Sequence, residues 1–157
     1  MVLPAGSAKI FMSANEGLQF VDTNILVYAH DRSAGSKHEQ ALELIEWLWE
    51  NHLGCLSVQV LQEFYVVTTQ KISKPLEQET AMRILRDLTQ WQIHAPIADD
   101  VLGAIGLKQR YDVSFWDAMI LWSAQQLGCS VLWSEDLSEG QAYGNLRVLN
   151  PFTSGVT

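Results

Sequence analysis

Four carboxylates in this chain sit in apolar surroundings: Asp22 in FVDTNILVYAH, Glu63 in LQEFYVV, Asp117 in SFWDAMI and Asp136 in LWSEDL. Each alone has an ordinary explanation. Asp22 or Asn24 caps a helix, and Asp117 stands three residues after Ser114, the spacing of a capping box. Glu63 fits an exposed helix position and Asp136 a turn. Together they ask for more. Within about 5 Å of one another, each ionised pair repels by roughly 3 kcal/mol at an effective dielectric of 20. Four such charges make six pairs, beyond what a domain of about 5–15 kcal/mol total stability tolerates. Protons or a divalent cation must then bind. An all-oxygen pocket without His or Cys favours Mg2+ or Mn2+. Such an ion activates water and neutralises phosphate, the chemistry of phosphodiester hydrolysis. Asp22 then reads as a ligand rather than only a cap.

The elements that must position these acids are short apolar strands alternating with helices. Leu18, Phe20 and Val21 read as a buried strand, and Ile25 to Tyr28 as the first turns of a helix. KHEQALELIEWLWENH sets Ala41, Leu42, Leu44, Ile45, Leu48 and Trp49 on one helical stripe. GCLSV is a strand, and Ser57 caps the helix VQVLQEFYVVTTQK that carries Glu63. KISKP is a break, with Pro75 suited to the first turn of a helix ending near Gln90. WQIHAP reads as a strand and ADDVLGAIGLKQRYD as a helix weakened by Gly103 and Gly106. SFWDAMILWSAQQLG runs from the N-cap Ser114 to a stop at Gly128. CSVLWS and LRVLNP are the last strands, separated by the turn-rich EDLSEGQAYGN. The alternation predicts one α/β domain, a parallel sheet of about five strands flanked by helices. Sites in such sheets form beyond the carboxyl ends of the strands. Asp22 and Asp136 should therefore share a crevice, with Glu63 and Asp117 on helices packed against the same sheet.

The chain has 157 residues, the size of one domain, and its formal net charge is −8. That balance argues against holding nucleic acid by phosphate neutralisation alone, though not against meeting phosphate through a metal. Arg32, Lys71, Lys74, Arg83, Arg86, Lys108 and Arg110 are scattered, as on a solvated face. Cys55 and Cys129 fit buried thiols in a reducing compartment, and no CxxC or HxxxH suggests structural zinc. None of His30, His38, His52 and His94 has a motif partner. No apolar run reaches the ~18 residues of a membrane span, and the N-terminus lacks a secretion signal, so a cytoplasmic protein is expected. Residues 1–17 read as an N-terminal extension, 18–151 as the domain and 152–157 as a tail. Trp47, off the stripe of its helix, suggests an exposed apolar patch and hence a homodimer.

The ordered set VDTNILVYA, LQEFYVV, SFWDAMI and LWSEDL resembles the PIN domain, and specifically the VapC-type toxin ribonucleases, from Leu18 to Pro151. The resemblance implies an Mg2+- or Mn2+-dependent endoribonuclease whose acidic quartet is Asp22, Glu63, Asp117 and Asp136. It implies Asp22 and Asp117 as principal metal ligands, Asp136 as a direct or water-mediated one, and Glu63 beside a metal-bound water or a second metal. Thr23 and Ser134 match its small hydroxyl positions, with Asn24 beside them, although Ser134 stands where the family often has Thr. Glu135 adjoins Asp136, which leaves open which acid faces the metal. The implied partners are RNA, a small antitoxin and a second copy of the chain. A haloacid-dehalogenase-type phosphatase fits poorly, because it needs an Asp where this chain has Asn24. A receiver domain needs a Lys near the last strands, where only Arg147 occurs. A non-catalytic PIN scaffold binding RNA or protein is the remaining alternative.

Overall fold

The computed structural model describes residues 17–153. The proposed extension and the last four residues lie outside this range, apart from Gly17. Strand β1 (Gln19–Val21) is followed by α1 (Thr23–Tyr28), a 3-10 turn at Arg32–Ala34 and the long α2 (Ser36–Asn51). Then come β2 (Gly54–Ser57), α3 (Val58–Gln70), α4 (Gln78–Leu88), β3 (Gln92–His94), α5 (Ala98–Tyr111) and α6 (Phe115–Gln126). Strands β4 (Val131–Trp133), β5 (Ala142–Tyr143) and β6 (Leu146–Leu149) end the chain. The sheet order is β3-β2-β1-β4-β6-β5. The first five in that order pair in parallel, and β5 adds a short antiparallel edge to β6. This sixth strand comes from the segment read as turns alone; at two residues it is too short for a periodic signal.

From β1 the chain runs outward through β2 to β3, then returns to lay β4 on the other side of β1. The switch point therefore lies between β1 and β4, where open α/β sheets place their sites. Phe20↔Leu132 and Val21↔Trp133 are in register, and Asp22 N donates to Trp133 O at 2.9 Å. Asp22 and Ser134 thus leave adjacent strands side by side. Phe20, Leu56, Leu132 and Trp133 have no exposed surface, and Ile25, Leu44, Leu48, Phe64 and Leu121 pack on them from the helices. Buried Trp133 donates its indole N–H to Gln19 Oε1 at 2.7 Å, so two polar groups in the core satisfy one another.

Several local rules hold. Ser57 and Ser114 cap α3 and α6, and Gly128 takes a left-handed φ of 73° just past α6. Others give way. Helix α4 starts at Gln78 behind Glu77, so Pro75 lies in the preceding loop rather than in the first turn. Gly103 weakens α5 but permits its packing, since a Cβ there would stand 2.3 Å from the Trp122 ring on α6. The indole of Trp122 donates to Asp100 at 2.9 Å across the same contact. His94, without a partner in the sequence, has Nδ1 2.8 Å from Ser123 Oγ and Nε2 3.5 Å from Asp100. Trp47 is half-buried against the core and does not form an exposed patch. Among the described residues no helix is long and apolar enough to cross a membrane.

Candidate active site

Asp22 is both cap and buried acid. One carboxylate oxygen accepts from Thr23 N at 2.7 Å, which caps α1, and the other accepts from Ser134 Oγ at 2.8 Å. Only 7 % of Asp22 is exposed. Burial pushes its carboxyl up from 3.8 to about 6; the bonds from Ser134 and Thr23 oppose the rise, and the charges of Asp117 and Asp136 add to it. Ser134 is fully buried, and its Oγ also accepts from Asp136 N at 3.2 Å and Leu137 N at 3.4 Å. One hydroxyl therefore ties the end of β1 to the loop after β4.

Asp136 and Glu63 are held by neutral donors. Asn24 Nδ2 donates to Asp136 at 2.8 Å, and the Thr23 hydroxyl donates to Glu63 at 3.0 Å. Gln59, one turn before Glu63 on α3, donates to the same Glu63 oxygen at 3.2 Å and to the Trp116 carbonyl at 3.3 Å. Asp117 lies in the first turn of α6, its backbone N–H donating to Ser114 Oγ at 3.1 Å. Its neighbourhood is wetter than the sequence suggests, because Trp116 is 63 % exposed.

Glu135 turns the other way. It accepts from Tyr28 Oη at 2.8 Å and pairs with Lys37 from α2. The Lys37 ammonium stands 5.2 Å from the Tyr28 ring centroid and 5.3 Å from that of Phe152. Asp136, not Glu135, lines the cavity with the other acids. Tyr28→Phe, which removes only the hydroxyl, should cost about 1 kcal/mol, seen as a lower urea midpoint. An unchanged midpoint would mean that this clasp does not hold Glu135 away from the acids.

Asp22, Glu63, Asp117 and Asp136 line one cavity of about 390 Å³, with Thr23 and Asn24 in its wall. Asp31 also lines it, but its carboxylate is engaged locally by Ser33 N at 3.0 Å and Ser33 Oγ at 2.6 Å. A PIN-domain family model matches residues 20–138, a span that takes in all four acids. The chain belongs to the PIN-domain family.

Solved structures share the fold. The VapC20 toxin of Mycobacterium tuberculosis, described as cleaving the sarcin–ricin loop, is 20% identical with a TM-score of 0.58 over 75% of this chain and 89% of that one. A toxin–antitoxin complex from Klebsiella pneumoniae gives 22% identity and a TM-score of 0.60 over 85% of this chain and 97% of that one. VapBC2 of Rickettsia felis, bound to a DNA fragment from its promoter, gives 22% and 0.59 over 85% and 98%. A search of curated proteins found no significant match.

The donor chemistry of this PIN domain suits a hard cation. Asn24 Oδ1 and Gln59 Oε1 are buried acceptors with no hydrogen-bond partner among the described residues, and both residues line the acidic cavity. A buried acceptor without a donor is costly, and a cation, its water or a substrate hydroxyl relieves that cost. The acids line the wall rather than packing into a knot. Among the described residues, no three acidic, imidazole or thiol groups are placed to hold an ion as they stand. Gln59 is not among the residues expected at the site, and Trp116 is expected only as an apolar neighbour of Asp117. The signals were there: Gln59 precedes Glu63 by one helical turn, and Trp116 adjoins Asp117.

Proposed function

We propose that this PIN domain is a divalent-metal-dependent endoribonuclease and the toxin of a toxin–antitoxin pair. The observation that carries the reading is the meeting of Asp22, Glu63, Asp117 and Asp136 on one cavity at the switch point of the sheet. Asp22, Asp117 and Asp136 would hold Mg2+ or Mn2+, which when bound supplies an activated water and draws charge from a phosphate. The rest falls to the chain. Ser134 and the Thr23 backbone fix the Asp22 carboxylate, Asn24 fixes Asp136, and Glu63, exposed and steadied by Thr23, orients the attacking water.

The toxin half of the reading is supported by likeness to VapC20 and to the two toxin–antitoxin complexes. A small antitoxin is the proposed partner, with an Arg whose planar fork suits two carboxylates of this cavity. The net charge of −8 would speed capture of a basic segment, and salt should slow it. A homodimer belongs to the same proposal. Ile97, Val101, Leu102 and Ile105, all exposed at or along α5, offer it apolar surface in place of Trp47.

The test is RNA cleavage by the purified chain with Mg2+ or Mn2+ and with chelator, alongside calorimetric titration of the ions. Cleavage only with metal, and ion binding weakened by Asp22→Asn, are expected. No cleavage and no divalent binding at millimolar ion would overturn the reading.

A further inference from the structure

Trp116 is 63 % exposed, whereas Trp133 is fully buried and Trp91 nearly so. Leaving an indole in water forgoes a large apolar burial, so its position calls for a use. The backbone of the residue is held in place. It lies in the first turn of α6 behind the Ser114 cap, its carbonyl accepts from Gln59 at 3.3 Å, and Phe115 packs near it at 4.9 Å between ring centroids. It also lines the acidic cavity, next in sequence to Asp117. An exposed π face on a fixed stretch of backbone therefore borders the carboxylates.

Charge narrows what that face receives. Among the described residues, the cavity lining contains Asp22, Asp31, Glu63, Asp117 and Asp136 and neither Lys nor Arg. Side chains of the lining cannot attract a nucleic-acid backbone by phosphate neutralisation. Stacking needs no positive charge, and every base presents a π face. Val67 and Ile72 in the same lining add apolar surface to the cavity. A base inside a duplex already has both faces covered, so only an unpaired base is free to lie on an indole.

We propose that Trp116 is a stacking platform that seats one unpaired nucleobase beside the acids. This rests on the ribonuclease reading. Trp116 acts by holding the base and so placing the neighbouring phosphodiester, while the carboxylates carry the chemistry.

The test uses a single-stranded RNA oligonucleotide carrying 2-aminopurine, because the chain's six tryptophans blur its own fluorescence. Binding to the full chain under chelation should quench the probe. Trp116→Ala should remove the quench and weaken binding roughly ten- to hundred-fold, the range for one base–aromatic stack. Trp116→Phe should restore most of both, and the same sequence in a duplex should show no dependence on residue 116. Unchanged binding and quench in Trp116→Ala, equal dependence on residue 116 for the duplex, or no binding by the parent overturns the proposal. Cleavage with Mn2+, measured separately, keeps the two readings apart. Quench that depends on Trp116 without cleavage removes the nuclease and leaves the platform. Cleavage by Trp116→Ala with the parent's KM and quench removes the platform and leaves the nuclease.

Discussion

Asp117→Asn should lower RNA cleavage roughly a hundred- to ten-thousand-fold, the scale on which one positioned catalytic group is felt. The variant should melt no lower than the parent. Asparagine has almost the shape of aspartate, and the one cap bond at this position comes from the backbone N–H of residue 117 to Ser114 Oγ. That bond survives the change. The loss is the attraction of a carboxylate to the helix N-terminus, about 0.3–1 kcal/mol. The gain is relief of its repulsion with Asp22, one of the causes that raise the Asp22 carboxyl. Opposed effects of this size leave the fold intact while the cavity loses one of its charges. Cleavage assays paired with thermal melts decide the matter. An inactive variant that melts well below the parent would make Asp117 a structural cap. A variant that cuts RNA as the parent does would take Asp117 out of the chemistry.

The acids were legible because three of them sit where the sequence pattern changes period. Asp22 stands at a strand-to-helix boundary, Asp117 just inside a capped helix, and Asp136 just past a buried strand. Periodicity marks such junctions, and the parallel-sheet rule then brings them to one end of the sheet. The direction of side chains around them was not legible. Whether Glu135 or Asp136 faces the cavity depends on Tyr28 and Lys37, 107 and 98 residues away in sequence, which claim Glu135. No local pattern encodes such a contact. Trp116 shows the same limit in the other direction. An apolar neighbour of Asp117 reads as core, yet Trp116, in the first turn of α6, is exposed although Met119 and Ile120, three and four residues further along the same face, are buried. Trp47 errs the opposite way: off its stripe, it still packs against the core. Large aromatics reach far enough to defeat a narrow stripe.

The metal-stripped protein should lose stability as pH rises from about 4 to about 6, and Asp22→Asn should abolish that part of the loss. The Asp22 carboxyl titrates at 3.8 when unfolded and at about 6 when folded. Between those values the folded state holds a proton that the unfolded state has released, so stability falls with pH. The contribution is fully present below 3.8, declines by about 1.4 kcal/mol per unit and is gone above about 6, some 3 kcal/mol in all. Other carboxylates titrate in the same range, so the informative quantity is the difference between parent and variant. Near pH 4 the two should unfold alike, since protonated aspartate and asparagine are both neutral. Near pH 7 the variant should be the more stable by about 3 kcal/mol, read from urea unfolding in chelator. Millimolar Mn2+ should then stabilise the parent at pH 7 and leave the variant nearly unmoved, because an ion that binds only the folded state raises stability by mass action. A constant difference across pH would mean that Asp22 is solvated enough to ionise normally. A difference that changes with pH but not with Mn2+ would leave Asp22 a buried acid that no cation uses.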